Sequence, residues 1–380
     1  SGNLSAGIGF SQVQGIVINA NLTQDNVFGS GKRVNLAFNN SDFLTSYQFG
    51  FLNPYFTTDG VSVGYNLGYN ERNAGAINIA NYSTANAFAG LDLGIPLNEF
   101  DVLRFGLDLK YTRLKNVDST SQEILGFVYG KNDNFEYGQP ATGGVDPYPG
   151  LGDANQKFAN ANGKSYMTLS PSVGWTHDTL NRAIFPSQGG QQRLSGMITL
   201  PGISDLEYFK ISYKHQQYFP LSSDFTFRLL ADVAYGDGYG DTNGLPFFEN
   251  YYGGGTGSVR GYFNNTIGPR DHPINTSSRN PLPLGGSTKI VGSAELFFPP
   301  PLLTEVKSVR LGVFFDAGRI KNGWGVNDMK YSAGISGEWL SPFGALSVSA
   351  AVPLNADPFN QALGIGDQKQ MFQFNFGQNF

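Results

Sequence analysis

The sequence predicts an all-β fold, a transmembrane antiparallel β-barrel of about 16 strands with a long extracellular loop folded into its lumen. Three observations predict it. Apolar and polar residues alternate with period two along most of the chain, the connections are by turns short and long, and the composition is poor in charge but rich in glycine and aromatics. In 225–235 the odd positions Phe225, Phe227, Leu229, Ala231, Val233 and Tyr235 form one face, and Thr226, Arg228, Asp232 and Gly236 belong to the other. In 207–219 the apolar set is Phe209, Ile211, Tyr213 and Phe219, against Lys210, Ser212, Lys214 and Gln216.

In chain order the two-faced runs fall at 4–10, 15–23, 32–40, 44–53, 61–70, 82–95, 102–112, 164–177, 190–200, 207–219, 225–235, 287–298, 308–318, 330–339, 345–352 and 370–378. Those at 44–53, 82–95 and 164–177 are the least regular. A length of about nine residues or more suits a strand that crosses a bilayer at a tilt. The connections "DNVFGSG", "NPYFTTDG", "PLNEFD", "PLSSD", "FPPPLLTE" and "SPFG" carry the Gly, Pro, Asn and Asp of tight turns. "DTLNRAIFPSQGG" is a longer member of the same set, and the long connections are 117–163 and 237–286. Short turns at one end and long loops at the other are the habit of bacterial outer-membrane barrels. An even strand count then places both termini on the short-turn side, expected to be periplasmic.

Composition agrees. Charged residues are 14% of the 380, against roughly 25% in soluble domains. There are 50 Gly, 31 Phe and 19 Tyr, and the mean hydropathy is only -0.23, which suits a wall that is apolar on one side. A soluble β-sandwich also alternates, but it turns its aromatic faces inward and needs far fewer strands. No run of 18 apolar residues exists, so helical spans are excluded. With no Cys, disulfides and thiolate metal sites are excluded as well. A net charge of -5 without basic runs argues against a nucleic-acid partner. Ser1 opens directly into alternating residues, so a mature or trimmed chain is expected.

Motifs of covalent or cofactor chemistry fail on spacing. His177, His215 and His272 are not at metal-ligand distances from one another in sequence, and no G-x-S-x-G elbow occurs. Gly163-Lys164-Ser165 lacks the first glycine of a P-loop, Phe158 standing there. After Gly255 and Gly257 the third position of a dinucleotide fingerprint is Arg260. A calcium loop from Asp237 and Asp241 competes with the commoner use of Gly-Asp stretches as turns. No enzyme, cofactor or metal is expected.

"GGGTGSVRGYFNNTIGP", Gly253 to Pro269, carries a single charge, Arg260. Parity places Glu295 with Lys289 and Ser293, opposite Ile290, Ala294, Leu296 and Phe298. It places Asp316 with Arg310 and Gly312, opposite Leu311, Val313 and Phe315. Both carboxylates therefore point into the lumen. Spacing alone leaves two readings open: a loop folded back so that Arg260 meets Glu295 and Asp316, or a solvated arginine and unrelated acids.

"SVRGY" (Ser258–Tyr262) followed by "NTIGP" (Asn265–Pro269) resembles the Val-Arg-Gly-Phe/Tyr signature of the BamA family of bacterial outer-membrane protein assembly subunits. The likeness continues through "QDNVFGSG" (24–31), "NPYFTTDGVS" (53–62), "FPSQGG" (185–190), "FFDAG" (314–318) and the final "FQFNFGQNF" (372–380). The resemblance implies that Val259, Arg260, Gly261 and Tyr262 anchor the loop inside the barrel, with Glu295 and Asp316 as the acids of the wall. It also implies a function, the folding and insertion of unfolded outer-membrane protein clients without ATP or covalent chemistry. Accessory lipoproteins and outer-membrane lipids are the further partners implied. In the family periplasmic POTRA domains precede the barrel; none is present in this sequence, so a membrane domain on its own is expected. The chain ends in Phe380, where some relatives end in Trp.

The mechanism implied by the resemblance is a weak seam between the first strand and the last. Gly7 and Gly9 lie in the first and Gly377 in the last, beside Phe372, Phe374, Phe376 and Phe380. Glycine removes packing from both edges, and a loosened seam exposes backbone groups on which an incoming strand can add. Glycine is also frequent throughout this chain, so its presence there is a weak sign alone. A two-partner secretion or TamA-like translocation pore shares the arginine motif and is the alternative within the superfamily. A passive diffusion porin is the alternative outside it.

Overall fold

The computed structural model describes residues 2–115, 121–129, 164–273, 280–301, 308–341 and 344–377. Its strands are β1 Gly2–Ser11, β2 Gly15–Gln24, β3 Arg33–Asn40, β4 Leu44–Asn53 and β5 Ser62–Asn73. They continue as β6 Ser83–Pro96, β7 Asp101–Lys115, β8 Ser165–Asp178, β9 Gly189–Ile198, β10 Tyr208–Pro220 and β11 Thr226–Gly238. The remainder are β12 Thr288–Phe298, β13 Val309–Lys321, β14 Lys330–Ser341, β15 Gly344–Pro353 and β16 Phe372–Phe376. Each is antiparallel to its neighbour in sequence, and β16 returns to β1 to close the barrel.

Alternation sets which way each residue faces. On β1, Leu4 and Ile8 are 73% and 70% exposed on the outer face. Ile335 on β14 and Ile211 on β10 are exposed in the same way, whereas Glu295 and Asp316 on the inner face are buried. A soluble protein would not leave such a band in water; hydrocarbon is the solvent in which it costs nothing.

Both ends of the described chain lie with the short connections 25–32, 54–61, 97–100 and 221–225. The opposite end is covered. A two-turn helix, α1 (Gln122–Tyr129), lies there, within the long connection 117–163. Its buried Ile124 and Val128, four residues apart on one face, pack with Tyr82, Leu114, Phe247 and Leu284. The helix is held from outside itself: Glu123 accepts the backbone N–H of His272 at 2.8 Å and also pairs with the imidazole. Eight residues would not hold a helix in water alone; the apolar cap does.

Beneath the cap, Glu249 receives Lys110 at 2.5 Å and Lys210 at 3.0 Å. Burial pushes the Glu249 carboxyl up, but the two lysines outweigh it and hold it well below the usual carboxylate range. This side-chain bridge ties the loop 239–287 to β7 and β10.

Candidate functional site

The loop between β11 and β12 turns back from the covered end into the lumen. Gly261 lets its tip lie against the wall: the residue has φ +89, and a Cβ there would come 3.1 Å from that of Ala351. Next to it Val259 is 1% exposed and packs where Gly318 offers no side chain, since a Cβ at Gly318 would be 2.4 Å from the Val259 methyl. Loop and wall therefore fit by the absence of atoms on one side and a small apolar residue on the other.

Between these two residues Arg260 meets β12 and β13. Its Nε donates to Asp316 Oδ2 at 2.7 Å and its Nη2 to Asp316 Oδ1 at 2.8 Å, the planar two-point pairing that guanidinium allows. Its Nη1 donates to Glu295 Oε1 at 3.1 Å, and its backbone N–H to Asp316 Oδ2 at 3.1 Å. The Phe314 ring lies against the guanidinium, 3.3 Å from centroid to Cζ. Arg228 on β11 also donates to Glu295, and Ser336 on β14 does so from the other side. Two arginines thus balance two carboxylates, which is how buried charges are tolerated. Burial pushes the Arg260 guanidinium down, and Asp316 and Glu295 push it further up, so it stays protonated.

Tyr262 is fully buried. Its hydroxyl lies 3.3 Å from both the Tyr331 carbonyl and Asn355 Oδ1 and shares its one proton between these two acceptors, and burial pushes its pKa up to about 12. The sequence-named Val259, Arg260, Gly261, Tyr262, Glu295 and Asp316 are therefore gathered in one place. Arg228, Ser293, Ser336 and Phe314 join them unannounced. Parity turns Arg228 and Glu295 to the same side of the wall, but neither their register across the long loop nor which loop and strand positions meet follows from it.

The seam is the second assembly of sequence-named residues. β1 and β2 pair along the whole of both, from Gly2↔Gln24 to Ser11↔Gly15. β1 and β16 share only Phe10↔Phe376 and Ser11↔Asn375. The last strand was expected over 370–378. It ends instead at Phe376, where Gly377 takes φ +73 with its N–H still donating to the Ala345 carbonyl, while Lys369–Gln370 pairs separately with Gly261–Tyr262. Gly377 and Gly9 touch: a Cβ on Gly9 would fall 2.8 Å from the Phe376 carbonyl oxygen. Phe10 stacks on Phe374 at 5.7 Å, and Phe372 is 58% exposed. Gly7 faces Asn19 of β2 and has no ladder partner on its other edge among the described residues. Phe380 lies outside the described residues, as does most of 117–163.

His177, His215 and His272 stand on separate elements. Among the described residues no three His, Cys, Asp or Glu side chains are placed to hold a metal.

Residues 26–380 match the Omp85 superfamily domain. The outer membrane protein assembly factor BamA of Neisseria meningitidis serogroup B is 33% identical over all of this chain, which spans 47% of that protein's length. Among solved structures, BamA from Haemophilus ducreyi lacking POTRA domains 1–3 superposes with a TM-score of 0.84 at 28% identity, covering 98% of this chain and 69% of that one. CdiB from Acinetobacter baumannii shares the fold alone, with a TM-score of 0.54 and 14% identity over 99% of this chain and 59% of that one.

Proposed function

The chain belongs to the Omp85 superfamily, and from that premise we propose that its barrel assembles and inserts β-barrel proteins into the bacterial outer membrane through the seam between β1 and β16. The observation that carries the reading is the incomplete ladder. Gly2 to Gly7 present one edge of β1 with no strand paired to it among the described residues, although the same residues are fully paired to β2 on the other. An unpaired strand edge is a template for another strand, and most folds conceal theirs. Here an unfolded client strand can add to β1 by backbone hydrogen bonds, with its sequence read only by alternate side chains.

The Arg260 assembly supports the same reading by holding the long loop against the wall opposite to conduction. A diffusion porin needs an open lumen, and here the loop residues 253–263 are anchored inside it. The reading places the long-loop end outside the cell and the termini in the periplasm, where segments beyond this chain would meet accessory lipoproteins.

The test is a disulfide across the seam, for which the absence of native Cys leaves a clean background. Ser11→Cys with Asn375→Cys uses a pair in register. The oxidised protein should fail to insert clients and recover on reduction. Normal client insertion with a fully formed bridge would overturn the seam.

A further inference from the structure

The last strand has a third neighbour besides β15 and β1. Gln373 is 1% exposed and points inward, where its Nε2 donates to the Tyr262 carbonyl at 2.8 Å and its Oε1 accepts the Gly261 N–H at 3.4 Å. One amide thus takes the donor and acceptor positions that a strand would occupy. Two residues on, Asn375 Nδ2 donates to Thr256 Oγ1 at 2.9 Å. Just before β16, Lys369–Gln370 forms its two-residue ladder with Gly261–Tyr262, and the Phe263 N–H donates to the Gln368 carbonyl at 2.8 Å. Contacts therefore run from Gln368 to Asn375, along the whole inner side of the strand and its approach.

On the seam side the corresponding contacts are few. Besides its two register pairs, β16 has the Phe10–Phe374 stack, the Ser11 hydroxyl donating to Asn375 Oδ1 at 3.2 Å, and the Phe374 N–H satisfied at 3.0 Å by the side chain of Gln12, in the β1–β2 turn, rather than by the β1 backbone. With β15 it shares five pairs, Leu346↔Phe376 to Ala350↔Phe372. The loop that grips β16 is itself fixed to β12 and β13 through Arg260.

We propose that the loop 253–263 is a brace for β16, with Gln373 as its positioning residue, so that opening of the seam moves β1 away while β16 stays with the loop and β15. This deepens the seam reading above and rests on it. Apart from the seam itself, β16 is held on its inner side and at β15, whereas among the described residues β1 is held at β2. A brace of this kind gives the opening one moving side and keeps the unpaired β1 edge as the surface offered to a client.

Spin-label distances in the full-length protein in lipid bilayers test the brace without reference to client insertion. Labels at Gly257, where a side chain would meet nothing within 4 Å, and at the exposed Phe372 report loop against last strand. Labels at Ile8 and Phe372 report the seam, and labels at Gly257 and Phe315 report loop against wall. The Gly257–Phe372 distribution should be narrower than the Ile8–Phe372 one. Gln373→Glu keeps the side-chain size but loses the donor to the Tyr262 carbonyl. It should at least double the width of the Gly257–Phe372 distribution and leave Gly257–Phe315 unchanged. An unchanged Gly257–Phe372 width in Gln373→Glu, or a Gly257–Phe315 width that grows in step, overturns the brace. The seam disulfide answers separately: client insertion through a locked seam removes the insertion reading, and the distance result stands or falls by itself.

Discussion

Arg260 and Asp316, 56 residues apart in sequence, are joined by three hydrogen bonds, from the arginine's backbone N–H, its Nε and its Nη2. The backbone bond fixes where the loop lies, and the two guanidinium bonds fix how the side chain is turned. Neither carboxylate of the site can lose this partner without being left beside the other in a poorly solvated space. Replacing Arg260 by Ala is expected to cost about 3–5 kcal/mol, the usual penalty for stranding one member of a buried pair. Arg260→Lys should recover less than half of it, because a point charge cannot span Asp316 and Glu295 together. Thermal unfolding and protease sensitivity of the loop 239–287 measure both. Adding Glu295→Gln to Arg260→Ala should relieve part of the loss; a native-like Arg260→Ala would show that the docked loop carries no stability.

The Glu249 bridge gives a pH dependence with a definite sign. The folded carboxyl lies below its unfolded value of about 4.3, so its contribution is fully present above that pH and is lost as pH falls through the folded value. Glu249→Gln should lower the thermal midpoint at pH 7 by leaving Lys110 and Lys210 facing each other. As pH falls below about 4.3 toward the folded value the difference between native and variant midpoints should shrink progressively, since the unfolded carboxyl takes up a proton before the folded one does. Lys110→Met added to Glu249→Gln should restore part of the midpoint at neutral pH. A difference that stays constant from pH 7 to pH 3 would contradict the assignment.

These two sites differ in how far the sequence disclosed them. Alternation makes the strands legible, since one face must be apolar to meet lipid, and parity alone then sends Glu295 and Asp316 inward. Arg260 stands out because it is the one charge in a glycine-rich stretch. Glu249, Lys110 and Lys210 come from a loop and two strands that are not neighbours, and no periodicity relates them. The same holds for Gln373 and Asn375, which read as ordinary inward polar residues of a strand. Helix α1 was hidden because its eight residues give barely two turns of pattern, and its stability comes from Phe247 and Leu284, far along the chain.

Orientation is expected to show in reactivity. Val326, 71% exposed in the connection 322–329, lies at the covered end, and Phe56, 61% exposed in 54–61, lies at the end with the termini. A Cys at 326 should react with a membrane-impermeant thiol reagent on intact cells, and a Cys at 56 only after the outer membrane is breached. The reverse pattern would invert the barrel.

The closest approach of the seam sets the last expectation. Where β16 ends, Gly377 turns inward with φ +73 and comes against Gly9, so that a Cβ on Gly377 would be 2.8 Å from the Gly9 Cα. Both conditions forbid a larger residue: the left-handed conformation disfavours any Cβ, and the space for it is already filled. The N–H of Gly377 still donates to the Ala345 carbonyl at 2.8 Å, so the turn is tied to β15 and not to β1. Gly377→Val should therefore push against β1 and disturb first the two pairs that close the barrel, Phe10↔Phe376 and Ser11↔Asn375. The pairs between β15 and β16 should persist, because the brace and five register pairs hold that side. The measurement is oxidative coupling of Ser11→Cys with Asn375→Cys, compared with a Cys pair at Ser347 and Asn375, which also face each other in register. Gly377→Val should slow the first coupling several-fold and leave the second unchanged. Equal slowing of both would mean that the glycine shapes β16 as a whole, and no slowing would mean that the seam does not depend on this contact.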